Sequence, residues 1–154
     1  MGCLFSKKSA INLQDASIDN SSEFGLTGVC CQTKVVDVYD GDTLTLAFIF
    51  RDQIYHKKCR VFGVDCAEIR TKNLAEKKHG YEAKNFVQNL ILNKIVWSEF
   101  SDKNDKYGRF LVKIYPEKNG QSLDQILIHQ GLGYEYHGQK KMDFDQWYNK
   151  IEIK

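Results

Sequence analysis

Leu44, Leu46, Phe48 and Phe50 keep a strict two-residue period, which commits this stretch to a strand with one buried face. Polar Arg51-Asp52-Gln53 follows, then a third apolar-rich run from Ile54 to Val64. Upstream, Val36 and Val38 alternate with polar neighbours and lead into Asp40-Gly41-Asp42-Thr43, whose residue types favour a tight turn. Three strands joined by short turns therefore open the folded part. A turn centred on Asp52 pairs residues whose numbers sum to about 104, so position 42 faces 62 and position 44 faces 60. That register brings Asp42 near Arg60 and near Asp65.

Beyond the strands, Ala83, Phe86, Val87, Leu90 and Ile91 form one apolar face, which predicts a helix over 80–92. Ile95-Val96-Trp97 starts a fourth strand, Ser101 to Lys106 reads as a loop, and Arg109 to Tyr115 reads as a fifth strand. Ser122 is placed to cap a short helix carrying Leu123, Ile126 and Leu127, with Gly131 near its stop. A last helix around 141–151 uses Phe144, Trp147, Tyr148 and Ile151. The class is α+β, mainly β: a small five-stranded barrel with about three packed helices. An oligonucleotide-binding barrel (OB-fold) is one such closure. With 42% hydrophobic residues in 154, one core is expected, over residues 29–154.

Residues 1–28 read differently. The chain opens Met1-Gly2-Cys3-Leu4-Phe5-Ser6-Lys7-Lys8, which fits N-myristoylation at Gly2 and palmitoylation at Cys3. Two chains, or one chain with a basic patch, are what stable attachment requires. In a eukaryotic cell or its virus the expectation is a membrane surface, on the cytoplasmic face; otherwise the cytoplasm. Residues 9–28 are rich in Ser, Asn, Asp and Gly without a period and read as a flexible linker spanning roughly 25 Å. The five cysteines (3, 30, 31, 59, 66) are odd in number and contain no C-x-x-C pair, which argues against a zinc site or a disulfide framework. The net charge of +2 does not by itself select a partner.

Several charged groups stand apart from the core pattern. Arg60 precedes an apolar run that ends in Asp65-Cys66-Ala67-Glu68, and Asp105-Lys106-Tyr107-Gly108-Arg109 closes a later loop. Each piece alone is ordinary turn or loop chemistry. Together, "VYDGDTLTL", "CRVFGVDCAEIR", "HGYEA", "DKYGRFLVKIY" and "LIHQGLGYEY" are similar to the motifs of the staphylococcal nuclease-like (thermonuclease) family, in its order and approximate spacing over most of residues 33–136.

The resemblance implies an OB-fold barrel and a Ca²⁺-dependent phosphodiesterase that hydrolyses DNA and RNA with little sugar specificity and leaves 3′-phosphate ends. Asp42 and Asp65 match the family's calcium carboxylates, Cys66 falls where a backbone carbonyl is a ligand, and Thr43 fits a supporting place near the metal water. Glu68 matches the general base; Arg60 and Arg109 match the arginines on the scissile phosphate. Lys106 and Tyr107 match groups near a nucleotide phosphate. A further tyrosine of "GLGYEYHG", Tyr134 or Tyr136, stacks or hydrogen-bonds, and the sequence does not separate the two. The chain has Cys66-Ala67 where the family commonly has Thr-Pro, which frees the loop that aims Glu68. Expected partners are single-stranded or frayed DNA and RNA, and the expected state is a monomer. The competing reading is a catalytically inactive OB-fold module that binds nucleic acid or protein.

Overall fold

A computed structural model describes residue 26 and residues 28–152. Gly2, Cys3 and nearly all of the tail lie outside the described residues. The elements run β1 (Cys30–Val38), β2 (Thr43–Phe50), β3 (Gln53–Val61), β4 (Gly63–Cys66), α1 (Leu74–Ile91), β5 (Ile95–Asn104), β6 (Phe110–Tyr115), α2 (Leu123–His129), β7 (Gly133–Tyr136) and α3 (Phe144–Glu152). Five strands close a barrel in the order β1-β2-β3-β6-β5, and β4 pairs with β7 in a separate two-stranded sheet. Within the barrel only β3 and β6 run parallel. This is the expected OB-fold closure with three helices.

The hairpin register differs by one residue from the sequence expectation. Phe50 pairs with Gln53, and Thr43 with Arg60. Arg51 (φ 48°) and Asp52 (φ 63°) both adopt positive φ, the signature of a two-residue type I′ turn whose twist matches the strands. The turn is therefore centred between Arg51 and Asp52, and Thr43 rather than Leu44 faces Arg60.

The third strand is also shorter than the alternation suggests. It stops at Val61, and Gly63 (φ 92°) turns the chain out of the barrel into β4. A β-carbon at Gly63 would sit 2.9 Å from an Asp124 carboxylate oxygen, so α2 packs directly beneath this corner. The fourth barrel strand runs on to Asn104, through a register shift between Phe100 and Asn104, where a loop was expected from Ser101. The long helix begins at Leu74 instead of 80. Asn73 caps it by accepting from the amides of Ala75 (3.0 Å) and Glu76 (3.2 Å), while its first turn shows no apolar face: Leu74 is 81% exposed.

Val35, Leu44, Leu46, Val61, Val112 and Ile114 fill the barrel interior, and Val87, Ile91, Leu123 and Leu127 seal it from the helices. Leu26 belongs to the same core, and the Gly28 amide donates to the Phe100 carbonyl at 2.9 Å. A second cluster joins Ala67, Tyr134, Phe144 and Trp147. The His79 ring of α1 meets Phe144, Trp147 and Tyr148 at 5.1–5.9 Å between centroids. α3 is thus fastened against the loop that carries Glu68. The four described cysteines are free thiols. Among the described residues, no helix is long and apolar enough to cross a membrane.

Candidate active site

The Asp-Gly turn between β1 and β2 is built around one carboxylate. Asp40 accepts from the Asp42 amide at 3.1 Å, and the Tyr39 amide donates to the Thr43 carbonyl at 2.9 Å. Gly41 is required by space: an added β-carbon would lie 2.8 Å from both Ala83 Cβ and Cys66 Sγ. Gly41→Ala is therefore expected to destabilise the fold by about 1–3 kcal/mol through overpacking. Urea unfolding measures this, and an unchanged midpoint would contradict the close approach of α1 and β4 to the turn.

Held in this way, Asp42 is buried with both oxygens engaged. Oδ1 accepts from Arg60 Nη1 (2.9 Å) and Thr43 Oγ1 (3.0 Å), and Oδ2 accepts from the Cys66 amide (3.0 Å). Burial, and the nearby Asp40 and Asp65 carboxylates, push Asp42 above the usual carboxylate range against the opposing pull of Arg60. Asp65 is equally buried. Its Oδ1 accepts from Arg60 Nη2 (2.5 Å) and Lys141 Nζ (2.9 Å), and its Oδ2 accepts from the Tyr134 hydroxyl (2.7 Å). Arg60 therefore spans the two aspartates with one planar fork. Its burial works against its charge, but Asp42 and Asp65 outweigh that and hold the guanidinium more firmly protonated than usual.

The second arginine is oriented independently. Asp105 accepts from the amides of Tyr107 and Arg109 through Oδ1, both at 2.9 Å, and from Arg109 Nε through Oδ2 at 2.5 Å. Partial burial alone would raise Asp105; the donors from Arg109 and Tyr107 outweigh it and hold the carboxyl below its ordinary value. Arg109 Nη1 then donates to Thr43 Oγ1 at 3.0 Å, so Thr43 links the second arginine to Asp42.

Glu68 stands at the rim, its side chain 56% exposed, with Oε1 accepting from Lys141 Nζ at 3.3 Å. In place of a proline, Ala67 is packed beneath Phe144 and Trp147, so α3 restrains the segment leading into Glu68. Lys141 carries a raised pKa: its partial burial is outweighed by the Asp65 and Glu68 carboxylates.

These groups surround one open cavity of about 1250 Å³. Asp42, Thr43, Arg60, Cys66, Glu68 and Arg109 line it, as do Lys106, Tyr107 and Tyr136. Asp65 lies behind the lining, reached through Arg60 and Lys141. The two tyrosines now separate. Tyr134 is buried under Trp147, and its hydroxyl supports Asp65 and accepts from the Met142 amide at 3.1 Å. Tyr136 borders the cavity, with the Arg60 guanidinium 5.8 Å from its ring centre. Sequence reasoning missed Lys141 and Asp105. Asp105 sits inside the quoted "DKYGRFLVKIY" motif, so its pairing four residues on to Arg109 was within reach; Lys141 gave no local signal.

The donor set fits a hard divalent cation in kind, since Asp42, Asp65 and main-chain carbonyls offer oxygen alone. It is also lean. Among the described residues, no three His, Cys, Asp or Glu side chains gather as a metal cluster, and the two aspartates are bridged by Arg60.

The family model of the staphylococcal nuclease homologues matches residues 58–154, a span that contains Arg60, Asp65, Glu68 and Arg109 but begins after Asp42. An uncharacterized protein of Methanocaldococcus jannaschii is 32% identical over 141 residues, covering 78% of this chain and 66% of its own length. The chain thus spans just under two thirds of that relative. The closed five-stranded barrel and the family match agree: the chain belongs to the staphylococcal nuclease homologues.

Proposed function

We propose that the protein is a calcium-dependent nuclease that hydrolyses phosphodiesters of single-stranded or frayed DNA and RNA and leaves 3′-phosphate ends. The observation that carries this reading is the convergence of two guanidiniums, the buried Asp42 and an exposed glutamate on one cavity, with a second buried aspartate, Asp65, held directly behind it by Arg60. A binding module has no need of two buried acids held against an arginine, because removing charge from water is costly.

Asp42, Asp65 and the Cys66 carbonyl would hold the calcium ion, with Thr43 in support. When bound, it would offset the negative charge that develops on the phosphoryl oxygens. Arg60 and Arg109 present donors that match phosphate geometry. Asp105 and Thr43 fix the direction of Arg109 before substrate arrives, which is the preorganisation that electrostatic catalysis depends on. Glu68, accessible to solvent, takes the proton from the attacking water. Lys106 and Tyr107 contact a nucleotide at the outer wall, and Tyr136 offers a ring face beside Arg60. No residue is assigned to the 2′-hydroxyl, which fits a substrate range covering both sugars.

Cleavage of end-labelled DNA and RNA oligonucleotides with calcium, with magnesium and with chelator tests enzyme, metal and substrate together. The expected result is cleavage of both strands that chelator abolishes. Absence of cleavage under every metal condition would remove the enzymatic reading.

Calcium affinity rises with ligand charge and site rigidity, so two buried carboxylates support weak binding. Lys141 also places a positive charge against Asp65 and Glu68. Like charges about 4 Å apart in water repel by about 1 kcal/mol per unit pair. Lys141→Met is therefore expected to tighten calcium binding by about threefold to tenfold in calorimetry without nucleic acid. Unchanged or weaker binding would show that the ammonium does not compete. From Gly2-Cys3 and Lys7-Lys8 we also propose dual acylation, which would hold the enzyme at the cytoplasmic face of a membrane in a eukaryotic host.

A further inference from the structure

The cavity carries a second cluster that the hydrolytic reading does not use. Tyr39, Lys58 and Arg70 line its wall. The Lys58 ammonium lies 4.2 Å from the Tyr39 ring centre and the Arg70 guanidinium 5.3 Å from it. Among the described residues neither cation pairs with a carboxylate; an aromatic ring holds both. Cation–π contact orients a positive charge without neutralising it. A pair of exposed cations gathered this way at a concave wall retains its attraction for an anion.

Their places along the chain tie them to the reacting groups. Lys58 stands two residues before Arg60 on β3, so both side chains project from the same face, about 7 Å apart along the strand. Arg70 stands two residues after Glu68, and Tyr39 directly precedes the Asp40-Gly41-Asp42 turn. Each member is thus a short step from a residue at the hydrolytic centre, and all face the same space. The Lys106–Tyr107–Arg109 arrangement repeats the chemistry elsewhere in the cavity: cations at 5.0 and 5.5 Å from one tyrosine ring.

We propose that Tyr39, Lys58 and Arg70 form a separate phosphate-binding subsite for a polynucleotide. It holds a phosphate that neighbours the scissile one on the same strand, with the tyrosine ring setting the position of the two cations. The inference rests on the nucleolytic reading, since it assigns the strand to this cavity, but it concerns binding and is read without catalysis.

The test is fluorescence anisotropy in chelator, with a labelled eight-nucleotide single strand and, by competition, a dinucleoside monophosphate that carries one phosphate. The Lys58→Gln/Arg70→Gln double variant is expected to bind the octanucleotide about tenfold more weakly, the scale of one charge-assisted contact. Its log–log salt dependence should be shallower by about 0.7, the value for one phosphate on a single strand. The loss on the dinucleoside monophosphate should be several-fold smaller. Lys118→Gln is the control, because Lys118 lies over Trp97 away from the cavity. Tyr39→Leu should weaken binding more than Tyr39→Phe, because only leucine removes the ring. Equal loss on both ligands, or an unchanged salt slope, would overturn the subsite. So would loss of binding to anionic lipid vesicles with unchanged octanucleotide binding. If the wild type binds as described but cleaves nothing with calcium, the nuclease reading fails and the subsite stands. If it cleaves and the double variant keeps its slope, the subsite fails alone.

Discussion

Glu68→Gln is expected to lower calcium-dependent cleavage of single-stranded DNA by about 10²–10⁴-fold, the range typical of a lost general base. Its effect on stability should be small. The side chain is 56% exposed and its one side-chain partner among the described residues is the half-exposed Lys141 at 3.3 Å, and surface changes of this kind stay within about 0.5 kcal/mol. Glutamine keeps the volume and can still accept from Lys141, so the substitution isolates proton transfer. Cleavage rates under single-turnover conditions, beside a urea unfolding curve, separate the two effects. Retention of the full rate would show that another group, or water alone, takes the proton. Equal inactivity of wild type and variant would instead support a barrel that binds without cutting.

Much of this site is readable before folding because its members sit at strand ends. Asp42 directly precedes β2 and Arg60 lies near the end of β3, so recognising one hairpin brings them together even with the register misplaced by one. That misplacement has a local cause. Type I′ turns are usually signalled by Asn-Gly or Asp-Gly, and Arg51-Asp52 adopts the same positive φ without that signal. The short strands β4 and β7 were not legible either. Four residues each are too few to establish a period, and Gly63 alone marks the break.

The contacts around Asp65 come from farther away. Lys141 belongs to a Lys140-Lys141 pair that reads as solvated surface, and it reaches Asp65 because α3 docks on Ala67 and Tyr134. The same docking decides between Tyr134 and Tyr136. Both project from one face of β7, two residues apart, so periodicity treats them alike. Trp147, with its ring centre 5.5 Å from that of Tyr134, covers the first and leaves the second beside the cavity. A helix whose partner lies some eighty residues earlier in the chain carries no local signature of which tyrosine it will bury.

Arg60→Met should show the opposite division from Glu68→Gln, with a large loss of both stability and rate. Methionine keeps much of the volume but removes the only described side chain that bridges Asp42 and Asp65. Breaking a buried ion pair by deleting one partner costs about 3–5 kcal/mol, because the remaining charge stays buried without compensation. That is a large part of the roughly 5–15 kcal/mol that holds an ordinary domain together, so unfolding should be measured at low temperature and in mild urea. A ligand that binds only the folded state stabilises it by mass action. Millimolar calcium is therefore expected to restore more stability to Arg60→Met than it adds to the wild type, since the variant presents two unbridged carboxylates. Cleavage should nevertheless stay about 10²–10³-fold below wild type in the same calcium, the usual effect of losing one preorganised donor to the transition state. Stability recovered without rate would assign Arg60 both duties, clamping the acids and gripping the phosphate. Recovery of the rate together with the fold would reduce it to a clamp, and calcium that restored neither would deny the two aspartates their place around the ion.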